Sequence, residues 1–262
     1  MDKILKVATF NVVHCADISN LNDTVTPPGF NPEVRIDKYI DALKNINADF
    51  IGLNEVYNTT NFDVSPDRGG QSNKLASGAN YPFSFFGRGK LFVERNQDIG
   101  NAVLSHYPIT SVKTHNVLAP TEDERRVDET DWYEDRVIVE ADLLVNDTTI
   151  KFISTHFGLN KQERERMVAK LITIIDATKT PLILAGDFNS QPDDEVIKPI
   201  YDRLTSASDV AGIREQKTFA TYNPFLTIDY IFYSKHFELV KAEVLPLKLS
   251  DHYPLTANLK LK

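Results

Sequence analysis

Leu182-Ile-Leu-Ala-Gly-Asp-Phe-Asn189 is the stretch whose reading decides the fold. Its apolar run is entered through Pro181 and broken at Gly186, the pattern of a buried strand in a sheet covered on both faces. Asp187 and Asn189 then sit at the carboxyl end of that strand. In an α/β sheet, ligands bind in the crevice outside the carboxyl ends of strands, so these two groups point where chemistry is expected. Taken alone, the same residues also read as a Gly-Asp-x-Asn turn whose side chains cap local backbone groups.

Upstream, Arg136 to Val145 and Thr148 to Thr155 flank Asn146-Asp147, the signature of a two-residue hairpin turn. The hairpin delivers Ile150-Lys-Phe-Ile-Ser-Thr-His156. A helix follows from about Lys161 to Ala177, with Met167, Val168, Leu171, Ile172 and Ile175 on its buried face and Lys161 to Arg166 as alternating charge for solvent. The amino-terminal part repeats this plan. Lys3 to Val13 alternates like a strand and carries Asn11 toward its end. After a loop through Thr26-Pro-Pro-Gly29, Asn31-Pro32-Glu33 is a helix-start signal, and Ile36, Ile40 and Leu43 keep helical spacing. A second strand, Asp49 to Glu55, ends in an acid. Two strand-helix-strand units whose strand ends converge would gather Asn11, Glu55, His156, Asp187 and Asn189 around one crevice.

The remaining pattern predicts a short helix over Gln71 to Ala79, an aromatic strand over Tyr81 to Gly87, and a strand from Gly100 that stops at Pro108. A helix is expected over Asp193 to Leu204, and strands over Thr227 to Ser234, Leu239 to Leu245 and Tyr253 to Lys260. No repeat of a fixed period recurs as an array.

At 262 residues, with no low-complexity or Pro/Gly/Ser-rich divider, the chain is expected to form one α/β domain over residues 1–262. The apolar runs are far below the ~20 residues that span a bilayer. The start lacks a signal-peptide core, so a cytoplasmic protein without membrane insertion is expected. One cysteine, Cys15, rules out an intrachain disulfide and a structural zinc site of several thiolates. The net charge of −8 counts against long-range attraction to a nucleic-acid backbone, although an enzyme can grip one phosphate through a metal ion. The sequence leaves the oligomeric state open, with a monomer as the expectation.

Two more clusters complete the chemistry. Asp229 lies inside the apolar run Ile228-Asp-Tyr-Ile-Phe232, where an unpaired charge would be costly, so it should have a partner. Asp251 and His252 are adjacent in Ser250-Asp-His-Tyr-Pro-Leu255, just before the last strand. Singly, these read as a structural hydrogen bond and a polar turn. Together with Asn11, Glu55, Asp187 and Asn189 they make an oxygen-rich set suited to a hard cation such as Mg²⁺ or Mn²⁺. His14-Cys15 is the sole local hint of zinc and is a poor one, because neighbours on a strand point to opposite faces. A Mg²⁺ site beside an Asp and a His suits water attack on phosphorus. Serine chemistry has no Gly-x-Ser-x-Gly elbow to run on.

Thr9-Phe-Asn11, Leu53-Asn-Glu-Val56, Ser154-Thr-His156, Gly186-Asp-Phe-Asn189, Ile228-Asp-Tyr-Ile-Phe232 and Ser250-Asp-His-Tyr-Pro-Leu255 resemble, in order, the motifs of the endonuclease/exonuclease/phosphatase superfamily. The resemblance implies a DNase I-like four-layer α/β sandwich, two packed sheets with helices outside, and a Mg²⁺-dependent phosphoesterase site at one edge. Carried over motif by motif, Asn11, Glu55 and Asp251 would bind or position the metal. Asp187 would orient or deprotonate the attacking water, and Asn189 would hold it or a phosphate oxygen. His156 and His252 would face the scissile phosphate, with His252 held by Asp229. The chain looks closer to small generic bacterial and deadenylase-like members than to abasic-site endonucleases, inositol polyphosphate 5-phosphatases or secreted sphingomyelinases. Asn54 departs from the glutamine that many relatives place there, which bears on a contact to Glu55.

The resemblance implies first a phosphodiesterase of a nucleotide or nucleic-acid phosphodiester. A phosphatase or phosphodiesterase of a small phosphorylated metabolite or lipid headgroup is the alternative, and a non-catalytic binding module is a third reading. Specificity is expected in Asn58 to Gly78 and Ala119 to Asp135, where Trp132 and Tyr133 could stack a base or sugar or pack a loop.

Overall fold

The computed structural model describes residues 3–19, 34–59, 70–92 and 97–262. The expected helix start at Asn31-Pro32-Glu33 and the loop at Thr26 to Gly29 lie outside those residues. Two six-stranded mixed sheets pack face to face. The first sheet contains β1 (Ile4–Asn11), β2 (Phe50–Thr59), β3 (Phe83–Phe92), β4 (Gln97–Ser105), β11 (Phe237–Val244) and β12 (Leu255–Leu261), in the order β11-β12-β1-β2-β4-β3. The second contains β5 (Ile109–Val117), β6 (Arg136–Val145), β7 (Thr148–His156), β8 (Leu182–Asp187), β9 (Thr205–Ser206) and β10 (Asp229–Tyr233), in the order β5-β6-β7-β8-β10-β9. Each sheet holds one parallel pair, β1 with β2 and β7 with β8. Helices α1 (Ile36–Ile46) and α3 (Lys161–Ala177) make the two crossovers. This is the duplicated strand-helix-strand plan and the four-layer sandwich expected from the sequence.

Period-two alternation assigns each strand residue to a layer. On β8, Ile183 and Ala185 enter the core between the sheets. Leu182 and Leu184 instead meet Met167, Leu171 and Ile175 of α3. On β1, Leu5 and Val7 face the other sheet, whereas Ala8 and Phe10 pack against Tyr39 and Leu43 of α1 and Leu75 of α2 (Gln71–Gly78). Each such large side chain removed from water contributes roughly 1.5–3 kcal/mol. Continuing the inward rows by two or four residues leads from Val7 to Asn11, from Phe152 to His156, and from Ala185 to Asp187. The polar groups therefore occupy the end of the same seam that the core fills.

The hairpin turn is as expected, with Asn146 and Asp147 both left-handed (φ 45° and 64°), the geometry of a two-residue type I′ turn. Two expectations are corrected, and one strand is added. Asp193 to Leu204 is not one helix, because turns lead into a single helical turn, α4 (Lys198–Tyr201). There the Asp194 carboxylate takes the Val196 N–H in a local turn, and Pro199 fits only the first turn of a helix. Strand β5, not anticipated, is a half-exposed edge strand with a register shift between Ile109 and Ser111, so its apolar signal is weak. Strand β2 does not end at Glu55 but runs on to Thr59 through a bulge between Leu53 and Val56. No helix among the described residues is long and apolar enough to cross a membrane.

Candidate active site

The bulge in β2 decides where Glu55 points. In regular alternation, Gly52 and Asn54 face the other sheet and Glu55 would turn to the helix side. A left-handed backbone at Glu55 (φ 55°) redirects its side chain into the seam. A cleft of about 750 Å³ opens there, lined by His14, Glu55, Arg136, His156, Asp187, Asn189, Asp251 and His252, with Trp132, Leu159, Phe219 and Leu226 among its apolar walls.

Asp187 lies at the centre. Its Oδ2 accepts from Asn11 Nδ2 at 3.1 Å, and its Oδ1 accepts from the Asn189 backbone N–H at 2.9 Å. The same Oδ2 is 3.4 Å from His156 Nε2 and 3.5 Å from His252 Nε2. Burial pushes the Asp187 carboxyl up to about 7, against the opposing pull of His252. Asn189 is itself left-handed (φ 44°), and its Nδ2 donates to the Phe157 carbonyl at 2.9 Å and lies 3.3 Å from His156 Nε2.

His252 bridges two carboxylates. Nδ1 lies 2.8 Å from Asp229 Oδ2, while Nε2 faces Asp187. Burial alone would strip the proton from this ring, but Asp229 and Asp187 outweigh it and hold the imidazole well above its ordinary range. His156 is the opposite case. Burial and then the charge of Arg136, whose Nη1 is 3.2 Å from His156 Nδ1, keep it well below the ordinary range and neutral. One charged and one neutral imidazole thus flank the same carboxylate.

Asp187, Asp229 and His252 offer three donors within 4.8 Å of one another, a spacing that a metal could use. The bond from Nδ1 to Asp229 and the approach of Nε2 to Asp187 leave this trio a poor cation site, since both ring nitrogens already face a carboxylate. Glu55 and Asp251 fit a divalent cation better. Burial raises the Asp251 carboxyl, and the Glu55 charge raises it further, so the two carboxylates repel one another across the cleft. Burial also opposes ionisation of Glu55, but His14 and then the bond from Asn11 bring it down to about 2, keeping a charged hard donor ready. Asn11 turns its amide nitrogen to Glu55 Oε1 at 2.9 Å and its Oδ1 to the Val13 N–H at 3.1 Å. In this orientation it positions carboxylates and does not present an oxygen.

Several residues of the site were not singled out in the sequence. Arg136 anchors His156 and pairs with Glu134 at 3.1 Å. Ser250 Oγ donates to the Asn11 carbonyl at 2.6 Å, tying the last motif to the first. Asn54 makes no bond to Glu55. It ties β2 to β7 and β8, accepting the Asp187 N–H at 3.2 Å and donating to the Thr155 carbonyl at 2.9 Å. Val13–Cys15 is a turn and not the strand expected for His14-Cys15. His14 faces the cleft and Cys15 is buried in the core under α1. Trp132 is exposed on the cleft rim, whereas Tyr133 bonds Glu129 at 2.9 Å and packs its own loop.

Two layered sheets with a cleft of carboxylates, amides and histidines at their common edge define a class of hydrolase scaffolds. The chain belongs to the Endonuclease/Exonuclease/phosphatase family, whose model matches residues 9–252. It is 27% identical over 245 residues to the uncharacterized protein YbhP of Escherichia coli, covering 88% of this chain and 91% of that one. An endonuclease/exonuclease/phosphatase structure from Beutenbergia cavernae superposes with a TM-score of 0.75 at 21% identity, covering 99% of this chain and 72% of that one. A mannosyl-6-phosphatase of Bacteroides thetaiotaomicron shares the fold with a TM-score of 0.66 at 16% identity, covering 97% and 99% of the two chains.

Proposed function

We propose that this chain is a metal-dependent phosphoester hydrolase, and within that class a phosphodiesterase of a nucleotide or a nucleic-acid end. The observation that carries this reading is Asp187, a carboxylate raised to about 7 between two imidazoles of opposite charge state. A base with a pKa near the working pH is best matched to taking a proton from water, a role worth ~10² to 10⁴ in rate. Asn189 and Asn11 fix the carboxylate, so its free energy goes into proton transfer and not into reorientation. The His252 imidazolium, kept charged by Asp229, faces the same point and offsets negative charge developing on phosphorus. Neutral His156 contributes a ring nitrogen without adding repulsion to Arg136. Glu55 and Asp251, with Asn11 behind them, would hold Mg²⁺ or Mn²⁺, which when bound neutralises phosphate oxygens.

One observation favours a second reading, a phosphatase or phosphodiesterase of a small phosphorylated metabolite or lipid headgroup. Among the described residues the cleft is lined by Glu55, Glu134, Asp187 and Asp251 against Arg136 and the His252 imidazolium, which is poor complementarity to a run of backbone phosphates. A panel of phosphoesters with Mg²⁺, Mn²⁺ and chelator, run beside Asp187→Asn, tests the proposal. Turnover that needs metal and vanishes in the variant is expected. Rates that rise with chain length and fall steeply with salt would select nucleic acid, and flat profiles the small molecule. Metal-independent turnover, or none with any ester, would remove the proposal.

A further inference from the structure

His14 is the cleft imidazole that the water-activating group leaves unused, yet the chain builds an expensive support for it. Val13, His14 and Cys15 are all left-handed (φ 38°, 60° and 58°), a conformation that costs non-glycine residues on the order of 1 kcal/mol each and persists only where surroundings impose it. The surroundings do so here. Asn11 Oδ1 takes the Val13 N–H at 3.1 Å, and the buried Gln71 donates to the His14 carbonyl at 2.7 Å while accepting the Tyr57 N–H at 2.9 Å. The His14 ring lies flat on Tyr57, with centroids 3.7 Å apart and planes 5° apart.

This support aims both ring nitrogens at Glu55. Nδ1 is 3.0 Å from the Glu55 carbonyl oxygen, which can only accept, so Nδ1 carries the proton. Nε2 then faces Glu55 Oε2 at 3.3 Å. A nitrogen donor and a carboxylate oxygen thus converge on one point of the cleft wall.

We propose that His14 Nε2 and Glu55 Oε2 are joint ligands of the divalent ion, making the centre a mixed nitrogen-oxygen site that takes Mn²⁺ in preference to Mg²⁺. Two donors each about 2.0–2.2 Å from one ion stand roughly 2.8–3.6 Å apart at octahedral or tetrahedral angles. The observed separation falls inside that span. A ligating histidine commonly donates its other ring N–H to a backbone carbonyl, which fixes the tautomer, and the Glu55 carbonyl plays that part. Imidazole suits transition ions, whereas Mg²⁺ prefers oxygen and retained water. Cys15 cannot add a thiolate, because it is fully buried on the helix side of the first sheet.

The inference rests on the metal-dependent reading above, and its test separates the two. Mn²⁺-loaded protein is examined by pulsed electron paramagnetic resonance for coupling to a directly bound nitrogen, and Mn²⁺ and Mg²⁺ affinities are measured by calorimetry. His14→Phe keeps the ring stack on Tyr57 but has no donor, and His14→Gln serves as a second variant should the first fail to fold. Wild type is expected to show the nitrogen coupling and the variants to lose it. Mn²⁺ affinity should fall about tenfold or more, a loss that even outer partners of a metal site can cause, with a smaller change for Mg²⁺. Bound Mn²⁺ without nitrogen coupling, or coupling that survives both substitutions, makes His14 an ion-pair partner of Glu55 and overturns the inference alone. Wild type that binds neither ion overturns both it and the metal-dependent reading.

Discussion

Asp229 Oδ2 lies 2.8 Å from Nδ1 of His252, and both side chains are buried. The contact answers the cost of a carboxylate inside an apolar strand, and it fixes which ring nitrogen points at Asp187. Asp229 Oδ1 meets no donor among the described residues, so the stabilisation of this carboxylate depends on His252. Asp229→Asn and His252→Ala should each lower turnover by ~10² or more. Because the two act as a unit, the double variant should be little worse than the poorer single one. Fully additive losses in that kinetic cycle would dissolve the pairing.

Asp187 makes stability depend on pH in an unusual direction. Its carboxyl is raised from 3.8 to about 7 by burial, so between those values the folded chain binds more protons than the unfolded one. Stability from this group is therefore complete below pH 4 and is lost as pH rises through about 7. Asp187→Asn has no such loss. Thermal midpoints of the metal-free proteins at pH 5 and pH 8 should show the variant gaining on wild type toward pH 8. Parallel profiles would mean that the carboxyl titrates as an ordinary one.

The Arg136 guanidinium, 3.2 Å from His156 Nδ1, is the second cause after burial of that ring's lowered pKa. Arg136→Gln keeps a donor but removes the charge, so the His156 midpoint should move upward in an NMR titration. A midpoint that stays put would leave burial as the sole cause.

Gly186 shows how the sheet admits the site. A Cβ built there would stand 1.9 Å from the Thr155 carbonyl oxygen of the neighbouring strand, a backbone atom that cannot step aside. Gly186→Ala should destabilise the fold by roughly 3 kcal/mol or more in urea unfolding, at the severe end of point substitutions. A loss below about 1 kcal/mol would show that β7 and β8 can separate.

The legible parts of this chain are those where periodicity and local chemistry agree. Leu182 to Asp187 announces a buried strand, and the inward row Ile183, Ala185, Asp187 carries the alternation straight into the site. Helix α3 and the Asn146-Asp147 hairpin are local and strongly patterned, and their bounds match the sequence reading. What escaped was long-range or conformational. Nothing in a glutamate says that its backbone will be left-handed, so the bulge that turns Glu55 inward is invisible without its partner strand β4. Val13-His-Cys15 holds no glycine to mark a left-handed turn, and its position directly after the end of β1 was the available clue. Arg136 opens β6, twenty residues before the histidine it anchors, and only the β6–β7 pairing brings the two together.

Glu55 offers the most direct probe of the metal. Asn11 bonds one of its carboxylate oxygens at 2.9 Å and His14 approaches the other at 3.3 Å, so the side chain is already placed before any ion arrives. Placement in advance removes an ordering cost from binding and makes the charge of Glu55 the quantity that matters. Glu55→Gln preserves the shape and the contact with Asn11 but presents a neutral amide. Because an ion that binds only the folded state raises stability by mass action, millimolar Mg²⁺ or Mn²⁺ should raise the thermal midpoint of wild type. In Glu55→Gln the metal-induced rise, measured from the variant's own metal-free midpoint, should disappear. Calorimetry should show the same loss as a weakened metal affinity. Equal metal-induced shifts in the two proteins would take Glu55 off the metal and leave Asp251 as the carboxylate that holds it.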